Sequence, residues 1–209
     1  MSLLVTFEGI EGSGKSTQLR HLAATLRAAG RAVVETHEPG DTPAGAAIRR
    51  ILLGPEAPPL TPLAELFLYC ADRAQHMAEV IEPALAAGRV VLCDRFSDST
   101  IAYQGYGRGL DLPAVRALDE RARGGVRPGL TFLLDCPVPE GLARVHGRAG
   151  PGDRFEREAA TFHERVRAGF LALAAAEPDR FCVLDGTRSV AEVGARVVDE
   201  AQRRLAGAA

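Results

Sequence analysis

Apolar residues fall into two rhythms along this chain. Short, near-continuous runs occupy residues 3–7, 32–36, 90–93, 130–134 and 181–184. Between them, apolar positions recur every three or four residues over 16–29, 43–53, 61–87, 99–105, 113–123, 139–148, 154–176 and 190–205. The near-continuous runs predict strands of a sheet covered on both faces, and the wider spacing predicts amphipathic helices. Gly30 closes the first helix. Thr61 and Pro62 open the 61–87 helix as N-cap and first-turn residue, and Pro83 is expected to end or kink its last turn. Strands alternating with helices predict an α/β fold in three layers, a five-stranded parallel sheet with helices on both faces. No repeat or linker interrupts the pattern, so residues 1–209 are expected to form one domain, with an Ala/Gly-rich tail frayed from Ala206.

Sheets of this kind bind ligands beyond the carboxyl ends of their strands. Directly after the first run comes Gly9-Ile10-Glu11-Gly12-Ser13-Gly14-Lys15-Ser16, a complete GxxxxGK loop closed by serine and followed by Thr17. A strand before it and a helix after it are the context a phosphate-binding loop requires. Gly9, Gly12 and Gly14 let the backbone approach closely, so that N–H groups cradle phosphates. Lys15 is expected on the β- and γ-phosphates of ATP and the Ser16 hydroxyl on Mg2+. These features specify the P-loop NTPase fold.

Composition sharpens this picture. The chain has 25 lysines and arginines, and Lys15 is its only lysine. A compact ammonium fits inside a tight phosphate loop, where a planar guanidinium is too wide. Guanine recognition through an Asn-Lys-x-Asp motif needs a further lysine, so a GTPase is excluded. Asp94 follows the 90–93 run, at the position of a magnesium-holding acid. Arg95 comes next, where ATPase motors usually carry a second acid, and the pair points to a kinase. A formal net charge of -2 argues against a nucleic-acid polymer as partner. No run is long enough for a transmembrane helix, and the first residues show no charged stretch followed by a long apolar one. Cys70, Cys93, Cys136 and Cys182 form no CxxC pair, and the expectation is a reduced, cytoplasmic protein. His21, His76, His146 and His163 show no metal-ligand spacing.

Five stretches carry a family resemblance: FEGIEGSGKST (7–17), HEPGDTP (37–43), ELFLYCADRAQH (65–76), DRFSDSTIAYQGYGRGL (94–110) and DRFEREAATFHERVRAGF (153–170). In order and spacing they closely resemble thymidylate kinase of the bacterial type. The resemblance implies transfer of the γ-phosphoryl group of ATP to dTMP, and a homodimer formed through helices. It puts Glu11 near the sugar 3'-hydroxyl, Phe67 on the thymine ring, and Arg73 on the base and near the acceptor phosphate. Ser99 and Gln104 match polar residues near the base. Tyr103 matches the tyrosine that crowds the sugar 2' position. Arg49 and Arg95 match the acceptor-phosphate clamp, and Glu38 and Pro39 the loop beside it. Phe67, Cys70 and Arg73-Ala74 are three or four apart, which suits one helical face.

A phosphate monoester is already an anionic nucleophile, so a nucleotide kinase needs positioning and neutralisation rather than a base. Arg144, Arg148 and Arg154 bracket the Gly/Pro-bearing segment 147–153, which reads as a lid over ATP spanning about 144–157. Gly12 and Ser13 leave the phosphate loop without an arginine, and within the family that pattern implies a catalytic arginine in the lid. Arg148 is the first choice, Arg154 the second and Arg144 the third. Lys15, Arg95, Arg148, Arg154 and Glu11 form the expected catalytic set. His37 and Asp41 depart from the family's Arg-Glu-Pro-Gly-Gly-Thr and leave the phosphate contacts of that loop open. Two other readings remain: a deoxynucleoside kinase with Glu38 as base, and a non-catalytic nucleotide-binding module.

Overall fold

The computed structural model describes residues 2–147, 155 and 158–207. Every predicted strand forms. They are β1 (Leu3–Glu8), β2 (Val33–His37), β3 (Val90–Asp94), β4 (Leu130–Asp135) and β5 (Phe181–Asp185). Each runs one residue past its apolar run, onto Glu8, His37, Asp94, Asp135 or Asp185. The backbone ladder is indifferent to side-chain polarity, so pairing continues until the chain turns. All pairings are parallel and the order is β2-β3-β1-β4-β5. Register aligns Phe7 and His37 with Asp94, so the polar strand ends form one rim. The chain leaves β1 for the far edge, returns to β3, then crosses to β4. The carboxyl end of β1 is therefore where the winding reverses and a crevice opens.

On one face, α1 (Lys15–Ala28) and α9 (Val190–Gly207) bury Leu19, Leu22, Leu26, Val193 and Val197 against Phe7, Leu92 and Phe132. On the other face lie α3 (Pro62–His76), α4 (Glu82–Ala86), α6 (Leu112–Ala122) and α8 (Ala160–Ala176), with α2 (Pro43–Leu53) packed on α3. The remaining described helices are the short α5 (Ser97–Thr100) and α7 (Val138–His146), which follow β3 and β4. Thr61 caps α3 as expected, accepting from the Ala64 N–H at 3.3 Å.

Several boundaries differ from the sequence pattern. The 61–87 helix is interrupted by a π-helical turn, Met77–Ile81, before α4. Pro83 then sits in the first turn of α4, directly after the π-helical turn. The 99–105 helix is likewise α5 followed by a π-helical segment, Ile101–Gly107. The last helix continues through Gly207, past the expected fraying point. Most of the predicted lid, including Arg148 and Arg154, lies outside the described residues.

Candidate active site

The phosphate loop joins β1 to α1. Gly14 caps α1 with a left-handed backbone, φ 100°, and no side chain occupies that helix end. Gly12 adopts φ 73°, and a Cβ there would lie 2.1 Å from the Gly141 carbonyl oxygen. A Cβ on Gly141 would in turn meet the Glu11 oxygen at 2.6 Å. Two glycines thus let α7 pack directly on the loop. Gly141 was not found from the sequence, because its role depends on a neighbour 130 positions away. Gly141→Ala is expected to push the loop off α7 and raise KM for ATP about tenfold, with a Tm loss of several degrees. Steady-state kinetics with calorimetry checks this.

Lys15 is buried, and its Nζ donates to Gly9 O at 3.1 Å, Ile10 O at 2.8 Å and Ser13 Oγ at 3.4 Å. Burial, and then the Arg95 charge, lower its pKa to about 8. Ser16 donates its hydroxyl hydrogen bond to Asp94 Oδ2. The two oxygens come from the start of α1 and the end of β3. Hard oxygen ligands held together beside a phosphate loop suit Mg2+, which keeps waters and shares phosphate oxygens rather than demanding a full protein cage.

The loop opens onto a cleft of about 720 Å³ lined by Glu11, Gly12, Gly14, Lys15, Ser16, Thr17 and Asp94 among others. Beside it lies a smaller cavity of about 110 Å³, whose walls include Pro39, Tyr69, Arg73, Ser99, Tyr103 and Gln104. Glu11, Glu38, Arg49 and Arg95 line both. These four mark the passage from one space to the other.

Arg95 has the only positive φ of a non-glycine among the described residues, 68°. Its guanidinium donates to Gly9 O at 3.0 Å, Ser99 Oγ at 3.1 Å and Glu11 Oε1 at 2.9 Å, and stacks over Tyr103. Tyr103 gives its hydroxyl hydrogen to Glu11 Oε1 at 2.6 Å. Burial alone would raise the Glu11 pKa, but Arg95, His163, Lys15 and Tyr103 together hold it at about 2. His163 Nδ1 lies 3.4 Å from Glu11 Oε2. Arg49 donates to Pro39 O at 2.7 Å. Gln104 donates to Glu65 Oε1 at 2.8 Å, which fixes its amide at the cavity wall.

Arg73 is 1% exposed. It gives two hydrogen bonds to Glu38 Oε2, at 2.9 and 2.7 Å, and one each to Thr100 and Asp119. One of its five N–H groups is left for the cavity. Glu38 Oε1 meets His76 Nδ1 at 2.9 Å, so the carboxylate is engaged at both oxygens. The departing residues of this loop meet each other. Asp41 accepts from Thr36 and lies 3.6 Å from His37 Nδ1. Burial lowers the His37 pKa, so this position brings a neutral ring near neutral pH.

Phe67 is not in either space. It is 51% exposed, whereas Tyr69 lines the small cavity with Leu53, Phe96 and Phe155. The chain of threes, 67–70–73, drifts 60° per step on a helix and ends about 120° off. Residue 69, one full turn before Arg73, shares its face. Tyr69→Ala is expected to raise KM for dTMP, the acceptor the resemblance implies, about tenfold, and Phe67→Ala to leave it within about twofold. A dTMP titration of both variants decides. Gly9, Ile10 and Ser13 form the back of the phosphate loop rather than a cavity wall. Arg144 lies outside both cavities and bridges Gly12 O at 3.4 Å and Gly186 O at 2.8 Å.

The thymidylate kinase family model matches residues 7–197. The chain is 51% identical to thymidylate kinase of Citrifermentans bemidjiense, over 98% of this chain and 93% of that protein. It is 53% identical to that of Deinococcus radiodurans, over 93% and 94%. A crystal structure of thymidylate kinase from Ehrlichia chaffeensis superposes with TM-score 0.78 at 35% identity, covering 96% of this chain and 98% of that one. Two joined cavities below a phosphate loop, on a sheet wound in this order, and this breadth of identity lead to one conclusion: the chain belongs to the thymidylate kinase family.

Proposed function

We propose that the two cavities are the donor and acceptor halves of a single phosphoryl-transfer site. The protein phosphorylates dTMP to dTDP with ATP as donor. The observation that carries the assignment of halves is the set Glu11, Glu38, Arg49 and Arg95, which borders both spaces. ATP lies along the 9–17 loop, with Lys15 on its β- and γ-phosphates and Arg144 beside the loop. The dTMP base stacks on Tyr69, and Arg73 and Gln104 read its polar edge. Ser99 is a polar wall residue, and Tyr103 with Glu11 faces the sugar. Arg49 and Arg95 draw the acceptor phosphate to the junction. An oxygen of that phosphate attacks the γ-phosphorus, the bond to the β–γ bridging oxygen breaks, and ADP leaves with the electron pair. Ser16 and Asp94 would hold Mg2+, which when bound would supply charge neutralisation for the transferring phosphate. Arg148 and Arg154 are assigned to the lid and to the same neutralisation.

A deoxynucleoside kinase would need a free carboxylate base. Glu38, its one candidate, is bound to Arg73 and His76. An ADP-release assay across nucleoside monophosphates tests the reading. Fastest turnover is expected with dTMP and background with thymidine. Thymidine turnover at the dTMP rate, or ATP binding with no ADP release, would overturn it.

We assign residues 1–209 to one domain and the protein to a homodimer. Leu63 and Phe67 on α3 and Ile51 on α2 are 49%, 51% and 41% exposed, which supports an apolar seam on adjacent helices. Among the described residues no helix is long and apolar enough to cross a membrane. All four cysteines are free thiols, which supports a reducing, cytoplasmic setting.

A further inference from the structure

We infer that Glu8 is a positioning residue for phosphoryl transfer: it tethers the 95–99 turn so that the Arg95 guanidinium stays at the junction of the two cavities. Glu8 ends β1 and is fully buried, one residue before the phosphate loop. Its Oε1 accepts the Phe96 backbone N–H at 2.8 Å, and its Oε2 takes the Ser99 hydroxyl at 2.6 Å. Both anchors follow Arg95 closely in the chain, one and four residues on. Arg95 itself needs them, because a left-handed backbone at φ 68° is unfavourable for a residue with a Cβ. Ser99 passes the constraint on, since its Oγ also accepts from Arg95 Nη1 at 3.1 Å. The Arg95 N–H bonds Phe7 O at 3.0 Å, so β1 holds the turn at three points.

Charge is not what the tether needs. Burial, and then the Asp98 carboxylate, push the Glu8 carboxyl pKa up. A carboxylate takes the Ser99 proton, and a carboxylic acid can give one to the same oxygen. Both forms keep two hydrogen bonds on the turn. Glutamine can do the same, with Oε1 on Phe96 N–H and Nε2 donating to Ser99. Alanine cannot.

This inference rests on the assignment of Arg95 to the phosphate junction, and a double-mutant cycle separates the two. Arg95→Ala alone tests that assignment. Glu8→Ala in the wild-type background is expected to lower kcat about 10- to 100-fold, with KM for ATP changed less than about threefold. In the Arg95→Ala background the same substitution should lower kcat by less than about twofold. Glu8→Gln should restore most of the kcat lost in Glu8→Ala. An equal loss in both backgrounds, or no rescue by glutamine, would overturn the tether. If Glu8→Ala does not fold, Ser99→Ala decides in the same cycle: a kcat loss that vanishes without Arg95 supports the tether, and one that persists refutes it.

Discussion

Lys15→Ala is expected to lower kcat by about 10^3-fold or more while the chain stays folded. The Lys15 ammonium is wrapped by two carbonyl oxygens and a hydroxyl of its own loop, at 2.8 to 3.4 Å, and it is buried. Those acceptors hold the ammonium inside the loop before ATP arrives, and its three N–H groups turn from them to the phosphate oxygens when the nucleotide binds. Its ionisation adds a second signature. With a pKa of about 8 in the free protein, the ammonium is lost as pH rises through that value. The kcat/KM for ATP should therefore fall about tenfold per pH unit above about pH 8, and Lys15→Ala should lack this limb. Stability moves the other way. The unfolded chain keeps this proton to about 10.5, so burying the cation costs on the order of 3 kcal/mol below pH 8. That cost is relieved between about pH 8 and 10.5. Lys15→Ala should thus raise Tm at pH 7 while turnover collapses. A pH series of turnover and calorimetry checks both. Near-wild-type turnover would remove the loop from the chemistry.

The parts of this site that were legible in the sequence are those whose signal is local. The three inner strands, β3, β1 and β4, are buried on both faces and so are largely apolar, and the edge strands β2 and β5 keep enough apolar residues to be located as well. A phosphate loop needs its glycines and lysine within eight consecutive residues, so it could be read directly. Side chains supplied from distant elements were harder. Tyr69 was obscured by Phe67, because both are aromatic and only the helical phase relative to Arg73 separates them. Glu8 is, in the sequence, only the polar residue between an apolar run and the phosphate loop. Its role depends on Phe96 and Ser99, about 90 positions later. Gly141 gave no sign that the phosphate loop would pack against it. The two π-helical segments were invisible because i→i+5 pairing leaves no distinct apolar period at this length. The segment Ile101–Gly107 carries both Tyr103 and Gln104, so the irregularity falls where the acceptor cavity is built.

Arg95→Lys, which keeps the charge, is expected to lower kcat/KM for dTMP about 100-fold. The reason is geometric. The guanidinium reaches three separate acceptors, Gly9 O, Ser99 Oγ and Glu11 Oε1, between 2.9 and 3.1 Å, and its Cζ lies over the Tyr103 ring, 5.0 Å from the centroid. An ammonium on a flexible stem can satisfy part of this set, but it cannot stack as a plane or hold a fork. Glu11 would then keep a unit counter-charge but lose the guanidinium's fixed donor, and the carboxyl held at about 2 would titrate higher. The acid limb of the pH profile should move up with it, because an ionised Glu11 is what orients Tyr103 and Arg95 together. Charge alone would predict a loss of no more than a few fold, since lysine supplies the same unit charge at similar reach. A lysine variant with wild-type kcat/KM would mean that Arg95 contributes only its charge, and the acceptor phosphate would have to be oriented by Arg49 and the lid arginines instead.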